Sequence, residues 1–402
     1  MTESSQDECR GGPKLGQQYL GALPGDWRAS LDEEGVPLAD PVGAWADGPS
    51  FPGNGPGELD PLASGWLRAV LRFTRPDGSP VFGPRRRSPD RLRTLAAWAG
   101  RVGDPGLATV MGWWLPGVPV GVVGASAPPP LPADARPDRP LAILRPDWTP
   151  RGDLVAVDHR SPGGSSLIEV AAKGQTWLGP TWSAPPGAGR VGRAVPASWT
   201  TGAFADGFEW TFKVGRRTIT RTAVLLRGRS LALLGQQDDG DASPGEIRLS
   251  LPDGIGATPD PATRSLVLSS GRGRPSARLI PIGLPASPYP TDRGSLELEG
   301  SEVVLRQRGE GRRRWLALLV AWGKAPTAWR TLTVAARSQA CRPAEAFAAR
   351  VAWGPADEGL VVYRSLAPPA LRNFLGHQTR ARFLIGAFTA AGNVRPLLKV
   401  DA

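Results

Sequence analysis

The sequence predicts a mainly β protein: a large antiparallel β-sandwich preceded by a small α-helical unit. Three observations predict it. From residue 141 onward about a dozen short apolar runs follow one another, each bounded by Gly, Pro, Asp or Ser. Two of these, "GSLELEGSEVVLRQR" and "EWTFKVGRRTITRTAV", alternate apolar and polar residues as strands with one buried face do. The 51 glycines and 43 prolines favour many turns and short strands over long helices.

In chain order, residues 1–57 are rich in Gly, Pro and Asp, lack periodicity and read as an irregular segment. Residues 58–116 read as the helical unit, with three starts of the same kind. "DPLASGWLRAVLRF" opens on Asp60-Pro61 and places Leu62, Trp66, Leu67, Val70 and Leu71 on one face. "SPDRLRTLAAWAG" opens on Ser88-Pro89 and is expected to stop at Gly100. "DPGLATVMGWWLPG" opens on Asp104-Pro105 and ends before Pro116. Residues 117–140 form a Pro/Ala-rich linker, and residues 141–402 the sandwich.

Composition excludes several chemistries. Cys9 and Cys341 are the only cysteines and His159 and His377 the only histidines, so no disulfide framework is implied. A mixed Cys/His zinc site would need all four to converge, and the expectation is no metal and no cofactor. No nucleophile elbow, phosphate loop or His-Glu-x-x-His motif is present. The first residues do not form a signal peptide, and no run approaches the roughly 18 apolar residues of a membrane span. As written, the chain reads as cytoplasmic; a start upstream would make it exported.

The net charge of +11 is mostly arginine and suits a polyanionic partner. The two denser runs are "GPRRRSPDRLR" and "GEGRRRW", the second read as a hairpin turn. Neither carries the interleaved aromatics of a single-strand stacking platform, so nucleic acid is not favoured.

The stretch "LAILRPDWTPRGDLVAVDHRSPGGSSLIEVAAKGQTWLGPTW", followed by "WTFKVGRRTITRTAVLLRGRSLALLGQQDDG", resembles the start of the β-sandwich domain of heparinase II/III-like polysaccharide lyases. Arg145, Trp148, Leu167, Glu169, Gly174 and Leu178 keep the family's frame. The resemblance implies a supersandwich-like fold behind a shortened helical part, and an acidic polysaccharide as partner. It also implies a His-x-His-x-Asp turn, but this chain reads "SPGGSS" there, Ser161 to Ser166, with His159 just upstream.

β-Elimination on a uronate needs a group to meet the carboxylate, a base for the adjacent proton and an acid for the leaving oxygen. The residue types available are His159, His377, Tyr363 and Arg364, with Tyr19 and Tyr289 lying in a tail and a turn. Trp177, Trp182 and Trp199 follow the altered turn and are the candidates for stacking on sugar rings. Three readings stay open. One is a non-catalytic sandwich that binds an acidic polysaccharide. Another is a polysaccharide lyase with a site rearranged around His159, Tyr363, His377 and Arg364. The last is a basic structural protein with no glycan role.

Overall fold

The computed structural model describes residues 67–68, 70–83, 87–115, 132–135, 141–159, 162–186, 190–240, 245–271, 276–308, 313–354, 359–389 and 392–401. The irregular segment 1–57, the Asp60-Pro61 helix start, most of the linker and parts of both basic runs (84–86 and 309–312) lie outside these residues. The chain forms two compact units, Met1–Leu131 and Pro132–Ala402.

In the first unit, residues 67–68 and 70–72 are helical and bury Leu67, Val70 and Leu71. Helix α1, Pro89–Val102, buries Leu92, Leu95, Ala96 and Ala99, the stripe expected of a helix with one apolar face. It runs past Gly100 because Gly103, not Gly100, takes the left-handed backbone (φ 69°) that caps it. Helix α2, Pro105–Trp114, starts as its sequence dictates. The Asp104 side chain accepts from the amides of Gly106 (3.0 Å) and Leu107 (3.2 Å) and also meets Arg68 Nε at 2.8 Å.

The second unit is built of antiparallel sheets. The first sheet has nine strands among the described residues. It runs from Asp134–Ala135 and Leu141–Leu144 through Leu154–Asp158, Ser166–Ala172, Thr181–Trp182, Gly245–Ser250 and Glu302–Gln307 to Gly294–Glu299. Strand Gln175–Leu178 pairs off this path. The second sheet has eight strands, in the order Gly256–Asp260, Ser265–Ser269, Ser276–Ile280, Arg313–Ala321, Leu231–Asp239, Arg217–Leu226, Ala205–Val214 and Val195–Thr201. Five strands make the third sheet: Ala328–Thr331, Ala346–Ala352, Gly359–Ser365, Phe383–Phe388 and Val394–Val400. Two small hairpins, Ala335–Ala336 with Gln339–Ala340 and Arg372–Phe374 with His377–Thr379, make the fourth.

The second sheet is covered on both faces, and its alternation shows how. Phe208, Trp210 and Phe212 point to the first sheet, where the Trp210 ring meets Trp182 edge-on at 5.6 Å. The residues between them point the other way, to the third sheet. There Trp315 packs against Phe347 (5.2 Å) and Phe383 (6.2 Å). Each such buried side chain stabilises by about 1.5–3 kcal/mol, so the two apolar interfaces hold the layers together. Gly235 is required beneath Trp315, because a Cβ there would lie 2.9 Å from the indole nitrogen.

Further features differ from the sequence reading. Strand Asp134–Ala135 falls within the expected linker and pairs with Leu141–Leu144. The "GEGRRRW" run is not a hairpin turn: Glu302–Gln307 belongs to the first sheet and Arg313–Ala321 to the second, so the chain changes sheets there. Strands Val195–Thr201 and Ala346–Ala352 were not legible as strands. The first is an edge strand carrying Pro196 at a register shift, the position a sheet tolerates for proline. The second is mostly alanine, poor in β propensity, and is held between two neighbours.

Asp153 ties the first sheet to the second by accepting from Trp322 Nε1 at 2.9 Å. Burial, with Asp147 nearby, raises its carboxyl from 3.8 to about 6. The folded protein therefore holds this proton more tightly than the unfolded chain, and stability falls as pH rises from 3.8 to about 6. Asp153→Asn keeps the acceptor and removes the charge. Urea titration is expected to show the variant about 1–2 kcal/mol more stable than the parent at pH 7, after allowance for solvent screening, and equal to it near pH 3.5. An equal difference at both values would show that Asp153 is not the source.

Candidate functional site

His159 ends strand Leu154–Asp158 and is 1% exposed, its ring 5.5 Å from that of Phe208. It lies within the packing between the first and second sheets. The turn that follows, Pro162–Gly164, leads to Ser166, whose hydroxyl accepts from Trp210 Nε1 (3.2 Å) and Arg221 Nη1 (3.1 Å). Arg221 is completely buried. It also donates from Nε to Gln236 Oε1 (3.1 Å), and to the carbonyls of Trp182 (3.2 Å) and Ser183, while its guanidinium covers Trp182 and Phe212. With neutral acceptors only in these bonds, burial holds it well below the ordinary arginine range.

The tryptophans expected to form a sugar platform do not form one. Trp177 and Trp182 are 0% exposed, and Trp182 is sealed between Trp210 and Arg221, so neither presents a ring face. Both sit on strands whose inward positions face the second sheet. Trp199 is half-buried on the edge strand, 6.5 Å from Phe208.

Tyr363 and Arg364 are neighbours on Gly359–Ser365 and therefore point to opposite faces of the third sheet. Tyr363 is fully buried and stacks on Phe374 (5.0 Å, 20°), and burial pushes its phenol up. His377, half-buried on the adjoining hairpin, meets the same Phe374 ring at 5.5 Å. Burial and the Lys399 charge push its imidazole down, leaving it neutral at pH 7. The structure thus gathers Tyr363 and His377 about Phe374. It places His159 between the first and second sheets, and turns Arg364 to the other face of the third.

Arg364 belongs to a cluster that the sequence did not disclose. Its partner is Glu209, the residue between Phe208 and Trp210 that faces the third sheet, and both side chains are 2% exposed. Glu209 Oε1 accepts from Arg364 Nη1 and from Thr222 Oγ1 (2.9 Å). Its Oε2 accepts from Arg382 Nη2 and Ser198 Oγ (2.9 Å). Burial works against the charge, but the guanidinium groups of Arg364 and Arg382 outweigh it and hold the carboxyl below its ordinary value. Arg364 Nε reaches on to Gln237 Oε1 at 2.9 Å.

Above this cluster a hollow of about 250 Å³ opens between the second and third sheets. Arg313, Arg364 and Arg382 line it with Gln237 and Asp239, and the Leu366–Pro369 segment forms its lip. Cysteine and histidine play no part in it. The signal that could have found it is the polar stripe Glu209, Thr211, Thr220, Thr222, Gln237 and Asp239. In these strands it alternates with residues that face the first sheet.

No protein-family model matches the sequence, and no curated protein matches it either. Among solved structures, the heparan sulfate lyase HepC from Pedobacter heparinus is similar to this chain. The TM-score is 0.50 at 12% identity, covering 79% of this chain and 52% of the lyase. A HepC mutant aligns with a TM-score of 0.51, with the same identity and coverage. The chain spans about half the length of the lyase it matches. The likeness is one of fold: this is a heparinase-like architecture of antiparallel sheets.

Removing the central negative charge leaves the buried Arg364 guanidinium without a counter-charge. Glu209→Gln is expected to lower stability by about 3–5 kcal/mol, read as a shift in denaturant midpoint at pH 7. Because the folded carboxyl sits below 4.5, the parent should lose this contribution as pH falls through and below that value, and the variant should not. A change under about 0.5 kcal/mol at pH 7 would show that the cluster contributes little.

Proposed function

We propose that the chain is a non-catalytic protein of heparinase-like fold that binds an acidic polysaccharide and does not cleave it. One observation carries this reading: His159 and Tyr363, two of the side chains suited to moving protons, have been taken into the packing, while the scaffold remains. His159 lies against Phe208 and Tyr363 against Phe374. Ser166 bonds Trp210 and Arg221, on the segment where the resemblance implies a catalytic or metal-binding turn. Fold similarity to an enzyme whose substrate is heparan sulfate supports a glycan ligand, and the net charge of +11 suits a polyanion.

A specific observation favours a second reading, a lyase with a rearranged site. Tyr363 and His377 share contact with Phe374, and Arg372, from the same hairpin, donates to Cys341 Sγ at 2.8 Å beside them. Against it, burial pushes the Tyr363 phenol up, so it stays protonated at neutral pH and the phenolate that would act as base is scarcely populated.

Two measurements on the same sample separate the readings. The protein is passed over immobilised heparan sulfate, then incubated with a panel of uronate polysaccharides while ultraviolet absorbance follows unsaturated product. The proposal predicts retention at low salt, release as salt screens the charges, and no product. Product that disappears in His377→Ala would establish the lyase instead. Failure to be retained would remove the glycan role.

A further inference from the structure

We infer that the hollow between the second and third sheets is a binding site for a single monoanionic group, a sugar carboxylate or a sulfate ester. It names the group recognised within the glycan reading above. It rests on that reading for the polymer but not for the free anion.

Size comes first. At about 250 Å³ the hollow holds roughly eight waters at about 30 Å³ each, and it falls below the roughly 300–1,000 Å³ of sites that enclose drug-sized ligands. Its volume suits one charged substituent or one sugar edge. Its lip, Leu366 to Pro369, is anchored by the Leu366 and Ala367 amides, which donate to the Glu345 carbonyl at 2.9 and 3.0 Å, and ends in two prolines of restricted φ.

Charge selects the ligand. Three guanidinium groups, Arg313, Arg364 and Arg382, line the space, and the carboxylates set against them are Asp239 in the wall and Glu209 beneath. Three against two leaves one positive charge, which matches a monoanion better than a dianionic phosphate. Glu209 takes one nitrogen from each of Arg364 and Arg382 and thereby holds both guanidinium groups beside the hollow. Gln237 holds Arg364 Nε at 2.9 Å, leaving its other terminal nitrogen uncommitted in these bonds. Arg313 is the most exposed of the three at 42%, and its approach to Asp239 is only 4.0 Å, so it is available to close on a ligand. Paired N–H donors from fixed arginines are the arrangement that recognises planar carboxylates and sulfate oxygens.

The folded protein is titrated with sodium glucuronate, methyl sulfate and inorganic phosphate at constant ionic strength by calorimetry and thermal shift. Saturable binding of glucuronate or methyl sulfate, tighter than phosphate, is expected, and whichever binds more tightly names the substituent. Arg313→Gln, at an exposed position, should weaken it by about tenfold. Arg293→Gln, exposed and outside the hollow, should leave it unchanged. Absence of saturable binding to the parent, preference for phosphate, or equal affinity in Arg313→Gln would overturn the assignment. Retention on heparan sulfate in that event would leave the glycan reading standing while removing this site from it.

Discussion

A carboxylate buried between two sheets organises this molecule. Glu209 stands on the second sheet with aromatic neighbours on either side that face the opposite way, and its charge is stranded there unless the third sheet supplies cations. Arg364 and Arg382 do so from two different strand regions, and Ser198 and Thr222 complete the four acceptances. Buried charge is costly to desolvate, and an apolar contact of the same volume could hold the sheets as well. What the ion cluster adds is register: the observed alignment of the third sheet brings both guanidinium groups to the two oxygens. That alignment also creates the hollow.

The same middle sheet solves a second charge problem differently. On the face toward the first sheet, Arg221 is satisfied by Gln236, Ser166 and two carbonyls, and by the faces of Trp182 and Phe212. The segment from His159 to Trp182 is therefore built into the interior by hydrogen bonds and ring contacts. A serine that accepts from an indole and a guanidinium holds layers together. The antiparallel-sheet architecture is similar to that of HepC, and at this turn the interior is filled by packing.

Much of the architecture was legible because period-two alternation survives in strands such as Gly294–Glu299 and Arg217–Leu226, and because Pro after Ser or Asp marks helix starts. Ala346–Ala352 escaped because alanine carries no pattern, and Val195–Thr201 because a proline reads as a break. The site was hidden for another reason. Glu209 lies 155 residues from Arg364 and 173 from Arg382, and no local pattern says which distant cations the polar stripe will meet. Trp177 and Trp182 suggested a sugar platform by residue type alone, whereas their inward strand positions decide their burial. Residue type proposes a role, and the face of the strand determines whether it can be played.

The central claim is that Glu209 and Arg364 act as one unit across the sheets. A double-mutant cycle over Glu209→Gln and Arg364→Met, with stability measured by urea denaturation, tests it most directly. A coupling of about 2 kcal/mol or more, with the double variant less damaged than the sum of the singles, is the predicted result. Additive losses within about 0.5 kcal/mol would contradict it, and would mean that the layers and the hollow are held by apolar contact alone.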